Sequence, residues 1–285
     1  MAETLLWILP LVPTVTALLM LTARDRRILS TIDVGGSAVL LALTLVLAGE
    51  VRTGGPQAFG VFRVDDLGLV FLLLLVVLTL AVAIYTVGWL KQAVAVGNMN
   101  ADALRPYFAL LHAFVATMVV TILADNLGVL WIAMEGTTIT SAVLIGYHGH
   151  QHGLEAAWKY IIVTTIGISF GLFGTVLVYA AAAGVGGGGG SVADAMSWSA
   201  IMRVAPSLDP GIVRIGFIFV MVGYGTKAGL APMHLWLPDA PIARRPRRSR
   251  RCSRAFSSSA RSSRSSGSRR SPPRRVARRS RSRCC

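Results

Sequence analysis

The chain has 285 residues, 54% of them hydrophobic and 14% charged, with a formal net charge of +15 and a mean hydropathy of +0.62. The charge is uneven: residues 241–285 hold seventeen of the 28 lysines and arginines and no acid, leaving eleven bases against thirteen acids in residues 1–240, a net of −2. The first 240 residues therefore read as a nearly neutral integral membrane protein. They also exclude a disulfide or cysteine–metal framework, because Cys252, Cys284 and Cys285 all lie in the basic tail.

A membrane-crossing helix needs about 20 mostly apolar residues. Seven windows qualify, at 4–23, 32–49, 67–90, 107–124, 127–147, 157–183 and 212–238. The expected fold class is an all-α integral membrane domain over residues 1–240, followed by a disordered Arg/Ser-rich tail over 241–285. Met-Ala-Glu-Thr at the start lacks a basic region, and no small-residue cleavage site follows Leu5–Ala23, so a cleaved signal peptide is not expected.

The first connection, Arg24-Asp-Arg-Arg27, is the most basic short loop of this domain and so is expected on the cytoplasmic side, with the N-terminus outside. Alternation then puts 50–66, 125–126 and 184–211 outside, and 91–106 and 148–156 inside. In the first outside loop, Thr53-Gly-Gly-Pro56 precedes Phe59-Gly-Val-Phe-Arg-Val64. Alternating apolar residues near a turn predict a short periplasmic β-hairpin lying on the membrane surface. Gly184–Ser191 reads as a flexible glycine linker.

Polar groups inside apolar spans carry the functional signal, since ionisable residues there usually face a protein interior or a wet cavity. Glu135 stands about eight residues into the fifth span, about 12 Å deep at helical rise. Lys227 stands about fifteen residues, roughly 22 Å, into the seventh. Gly223, Gly225, Gly229 and Pro232 around it weaken the helix, and a broken helix around a buried base suits proton transfer. Burial alone favours a neutral glutamic acid and a nearby lysine favours the anion, so the two can trade proton affinity. Thr137, Thr138, Thr140 and Ser141 have the spacing to line a wet face.

Glu155 and Lys159 stand four apart in the favourable order for a helical ion pair, with Trp158 and Tyr160 beside them as an interfacial aromatic belt. This favours an anchor at the cytoplasmic surface over a relay role for Lys159. His148, His150 and His152 lie among glycines without an acid or cysteine to complete a ligand set, so no metal site is expected. His112 and His234 are the better candidates for a hydrogen-bonded relay.

Asp125-Asn-Leu-Gly-Val-Leu-Trp-Ile-Ala-Met-Glu135, Glu155-Ala-Ala-Trp-Lys-Tyr160 and Gly225-Thr-Lys-Ala-Gly-Leu-Ala-Pro-Met-His-Leu-Trp-Leu-Pro-Asp-Ala240 carry a resemblance. They resemble the antiporter-like, proton-pumping membrane subunits of respiratory complex I and its relatives, in particular hydrogenase-4 component F. The resemblance covers residues 1–240. It implies a fold of about fourteen helices with two inverted repeats, of which this chain holds the first half. It also implies that Glu135 matches the family's fifth-helix glutamate and Lys227 its broken-helix lysine, which couple proton movement to redox chemistry done elsewhere in the complex. The eighth helix and second repeat are absent.

The function this suggests is a proton-translocating subunit of a complex I-like NADH–quinone oxidoreductase or membrane-bound hydrogenase, truncated here and not expected to pump alone. No cofactor is expected in the chain. Its expected partners are other membrane subunits, a redox arm and the bilayer of a bacterial or archaeal plasma membrane, and nucleic acid is not among them. A cation/proton antiporter subunit is the alternative. A basic arm for nucleic acid or anionic lipid ranks last, because the tail, with seventeen arginines, thirteen serines and no lysine, is what a GC-rich gene yields out of frame. A frameshift near Pro241 is the expected origin.

Overall fold

A computed structural model describes residues 2–23, 25–95, 101–147, 151–185 and 196–230. In chain order they form α1 (Ala2–Thr22), α2 (Arg26–Gly54), β1 (Gln57–Phe59), β2 (Phe62–Val64), α3 (Asp66–Ala95), α4 (Ala101–Leu123), α5 (Leu127–Gly146), α6 (Gln151–Gly184), α7 (Trp198–Val204), a 3-10 turn (Ala205–Ser207) and α8 (Pro210–Ala228). All of these except α7, the turn and the strands are long and apolar enough to cross a membrane. Large apolar side chains such as Leu18, Val70, Leu78, Ile132 and Phe217 point outward and exposed, as a lipid-facing surface requires.

Several helices run past the apolar windows. The helices α2, α4 and α6 each begin six residues before the expected start, at 26, 101 and 151. Hydropathy marks where hydrocarbon begins, whereas a helix end is set by what satisfies its free backbone groups. Asp25 does this for α2 by accepting from the Arg27 N–H at 3.1 Å. Asn126 caps α5 through Gly128 and Val129, and Asp209 caps α8 through Gly211 and Ile212 with Pro210 at the first helical position. The last helix, expected to continue to 238, closes at Ala228. Gly229 takes the left-handed conformation (φ 77°), which costs glycine nothing, and its N–H returns to the Gly225 and Thr226 carbonyls. Residues 231–238 lie outside the described residues, as do 186–195, including most of the predicted glycine linker.

The hairpin is where the alternation put it, pairing Gln57 with Val64 and Phe59 with Phe62 around Gly60 (φ 62°). It does more than lie on a surface. Phe62 and Val64 are buried, and the Phe62 ring meets Trp7 of α1 edge-on at 4.9 Å. Phe62 also bridges to Ala124, and the Asp125 N–H donates to the Val61 carbonyl at 2.9 Å. The Asp125 carboxylate accepts from Ser197 Oγ (2.6 Å) and Ser199 Oγ (2.7 Å). One end of the bundle is thus tied together from the hairpin, the α4–α5 turn and the start of α7.

Below that end, Leu6, Leu9, Leu40, Leu47, Leu72, Val76, Val119 and Leu123 fill the space between α1, α2, α3 and α4. The other half of the bundle is held more by close approach than by bulk. Trp131 of α5 donates to the Ile168 carbonyl of α6 at 3.0 Å. Between α6 and α8, a Cβ at Gly174 would lie 2.6 Å from the Gly216 carbonyl oxygen, and one at Gly223 would overlap the Gly171 backbone. Helices without a hydrophobic drive between them associate through such small-residue contacts. Gly223→Ala forces the two backbones apart and is expected to cost at least the 1–3 kcal/mol typical of overpacking, about that much or more. Thermal unfolding of the detergent-solubilised chain checks this; a melting temperature equal to the parent's would contradict the packing.

Candidate functional site

The site lies where α5, α6 and α8 meet. Both α5 and α8 run antiparallel to α6, as Trp131–Ile168 and Ser141–Tyr160 show for α5 and Gly174–Gly216 and Gly167–Thr226 for α8, so both start at the hairpin end. Lys227, seventeen residues after Pro210, is therefore about 25 Å along α8, one residue before the helix closes. Helical side chains lean back toward the N-terminus, so its ammonium reaches toward the middle of α5. There Nζ donates to Thr138 Oγ1 at 2.7 Å and to the Tyr160 hydroxyl at 3.0 Å, and lies 5.5 Å from the centre of the Tyr160 ring. Two hydroxyl oxygens replace part of the hydration the ammonium would have in water.

Glu135 precedes Thr138 by three residues and so shares its face of α5. Its Oε1 accepts from Thr165 Oγ1 of α6 at 3.0 Å, while Oε2 is buried without a partner among the described residues. No ion pair joins Glu135 to Lys227 among the described residues. The two groups sit on successive rungs of one ladder: Glu135–Thr165, then Thr138–Lys227–Tyr160, then Ser141, whose Oγ donates to the Tyr160 hydroxyl at 3.0 Å. The rungs on α5 are about 4.5 Å apart at helical rise. Thr138 is fully buried and its hydroxyl hydrogen turns to the Met134 carbonyl, which leaves its lone pairs to the ammonium.

The other sequence candidates fall elsewhere. Lys159 is half-exposed and paired with Glu155 at 2.8 Å, as the anchor reading expects, and takes no part in the ladder. Trp158 is exposed as a belt residue should be, but Tyr160, read as its companion, is buried and turned inward to Lys227. Two positions along a helix separate the two side chains by about 200°, so they cannot share a face. His112 is buried on α4, where its Nε2 lies 2.9 Å from Asp33 Oδ1 of α2. His148, His150 and His234 lie outside the described residues, as does the side chain of His152. Thr137 and Thr140 bond to carbonyls of their own helix. Thr165 and Asp33 were not singled out in the sequence, and Tyr160 was read only as a belt residue. A check of which polar residues fall on the faces opposite Glu135 and His112 would have found them.

Residues 124–244 match the family "NADH:quinone oxidoreductase/Mrp antiporter, TM". The hydrogenase-4 component F homolog of Methylacidiphilum infernorum is 36% identical over 65% of this chain and 38% of its own length. NADH-quinone oxidoreductase subunit 14 of Thermus thermophilus is 32% identical over 71% of this chain and 40% of its own. Among solved structures, the fold matches a chain of an archaeal membrane-bound sulfane sulfur reductase with a TM-score of 0.69 at 20% identity, over 82% of this chain and 47% of that one. A chain of respiratory complex I from Thermus thermophilus matches with a TM-score of 0.60 at 22% identity, over 84% and 47%. The resemblance carried by the three motifs therefore holds: the chain is similar to hydrogenase-4 component F and NADH-quinone oxidoreductase subunits, and its residues 124–244 match the transmembrane family model. The chain spans about two-fifths of the length of the curated relatives it matches.

Replacing Thr138 by the near-isosteric valine removes one of two oxygens on a part-buried ammonium, a loss of about 1.5–3 kcal/mol for a hydrogen bond to a charged group. A lower melting temperature for Thr138→Val is the expected result in detergent; no change would mean that Lys227 does not depend on this contact.

Proposed function

We propose that this chain handles protons as an antiporter-like subunit of a complex I-related or membrane-bound hydrogenase complex in a prokaryotic plasma membrane. Its partners are other membrane subunits and a redox arm, and its N-terminus lies outside, as the basic Arg24–Arg27 loop suggests. The observation that carries the reading is the Lys227 ammonium at the end of the closed α8, held on hydroxyls of α5 and α6 one helical turn from a buried carboxyl. Ammonium and carboxyl are the two groups that can give and take a proton. The hydroxyls of Thr138, Tyr160 and Thr165 hold them in register without neutralising either.

Helix α8 closes at Ala228 with Gly229 in the left-handed conformation, so Lys227 is carried on the last turn of the helix, where its long side chain can change rotamer without unwinding the helix. An incoming proton at Glu135 removes a negative charge near the ammonium and weakens its hold on the ladder. Release of that proton restores it. Coupling of this kind needs charge in a low-dielectric interior, where an interaction between charges is many times stronger than in water. The family description also names Mrp antiporters, which supports a second reading in which the same ladder exchanges protons for another cation.

Inverted membrane vesicles from the native host, monitored with a pH-sensitive dye, test the proposal. Glu135→Gln and Lys227→Ala are each expected to cut acidification by about tenfold or more, the usual cost of losing an essential proton-transfer group, with the chain still inserted. Normal acidification in both would remove these residues from the path.

A further inference from the structure

We propose that Asp33 and His112 form a second proton-holding pair, in the α1–α4 half of the bundle and apart from the Glu135–Lys227 ladder. The proposal rests on the reading that this chain moves protons, and extends it to a site that reading leaves unused.

The pair stands out first as a matter of packing. Asp33, Ser37, Leu40, Thr44, Leu47 and Val51 follow one another at intervals of four and three along α2, and every one is at most 2% exposed. This is the inward stripe of a helix, and apolar residues would fill it at least as well. Replacing a buried ion pair by well-packed apolar side chains is often neutral or stabilising. Bundle stability alone therefore gives no reason for a carboxyl at position 33 with an imidazole opposite.

The geometry is that of a proton shared between two atoms. His112 Nε2 and Asp33 Oδ1 are 2.9 Å apart, and the two side chains are 3% and 2% exposed. Asp33 Oδ2 is buried and has no hydrogen-bond partner among the described residues. Along the same face, Ser37 Oγ donates to the Asp33 carbonyl and Thr44 Oγ1 to the Leu40 carbonyl. Their hydroxyl oxygens keep free lone pairs, so the stripe offers acceptors over about 16 Å of helix.

Among the described residues, the Asp33–His112 pair has no third charged partner. On α1 the described titratable side chain is Glu3, in the first turn; α3 brings Asp66, in its first turn, and the lipid-facing Tyr85. On α2 and α4 themselves, Arg27, Glu50, Arg52 and Arg105 lie toward the helix ends. On α5 the ionisable group is Glu135, which is hydrogen-bonded to Thr165 of α6, and Tyr107 of α4 packs against Tyr147 after α5 at 6.0 Å between ring centres. Burying one unpaired charge here would be costly, whereas the two groups together can be uncharged. In one form the proton sits on Nε2 as imidazolium beside carboxylate. In the other it has crossed to Oδ1, leaving neutral imidazole and carboxylic acid. One proton taken up at Oδ2 and one released from Nδ1–H leave the pair's proton count unchanged, with no other reactant.

Asp33→Asn and His112→Gln keep a hydrogen-bonding side chain but cannot trade the proton. In native vesicles each is expected to lower acidification by about tenfold while the amount of inserted chain is unchanged. In the purified full chain in lipid nanodiscs, infrared pH-difference spectra with isotope-labelled histidine should show an imidazole and a carboxyl band titrating together, both lost in His112→Gln. Parallel measurement of Glu135→Gln separates the two claims. Normal acidification in Asp33→Asn and His112→Gln alongside a deficient Glu135→Gln makes the pair a structural clamp and overturns the proposal. Loss in the Asp33 and His112 variants with Glu135→Gln unaffected upholds the pair and removes the ladder. Should either variant fail to accumulate, the spectrum of the parent chain decides, and absence of the coupled bands overturns the pair.

Discussion

A cation buried in a membrane protein has to be given something in place of water, and the arrangement of α5, α6 and α8 follows from that requirement. Lys227 is offered two hydroxyl oxygens, those of Thr138 and Tyr160. Neither hydroxyl carries charge, so the ammonium is solvated without being locked into an ion pair. A direct Glu135–Lys227 bridge would hold both groups in their charged forms and resist the proton changes proposed for them. Setting them one rung apart keeps them within electrostatic reach while each has its own hydrogen-bond partner.

The rest of the bundle keeps that geometry in place. The ladder needs α6 and α8 close enough for a lysine near the end of one to reach a tyrosine near the start of the other. Gly171, Gly174, Gly216 and Gly223 supply the closeness, because their backbones touch where any side chain would intervene. The tied end at Asp125, Ser197 and the hairpin fixes where α5 and α7 begin, and so the height of Glu135 in the bundle. The large apolar residues between α1 and α4 form a broader, more conventional core. On the same inward stripe of α2 as that core lies the buried pair of Asp33 and His112.

Much of this was legible in the sequence. Runs of apolar residues gave seven spans, and the glycine-rich turn gave the hairpin, because both depend on local composition. The two charges in the wrong place, Glu135 and Lys227, stood out because burying them is so costly. Their partners did not stand out, for a physical reason. Thr165 and Tyr160 are ordinary residues whose meaning depends on which neighbouring helix they face, and that is fixed by packing across 30 and 67 residues of chain. Tyr160 was masked further by its neighbour Trp158, which is exposed where Tyr160 is buried. Asp33 sits near the basic Arg24–Arg27 loop and reads as part of a helix end until α2 is seen to start at Arg26 and carry it inside. The start of α2 was misplaced because a polar cap, Asp25, lies well ahead of the apolar run, whereas α5, capped by Asn126, begins where its apolar window does.

If the two rungs form one working unit, disturbing the hydroxyls should reveal it while leaving the ionisable groups intact. The most direct measurement is a double-mutant cycle on Thr165→Val and Thr138→Val, read as the acidification rate of native membrane vesicles. The account predicts that the double variant loses less than the product of the two single losses, with a coupling of at least about 0.5 kcal/mol, roughly a twofold discrepancy in rate. Losses that multiply within experimental error would show that Glu135 and Lys227 act independently, and would contradict the ladder.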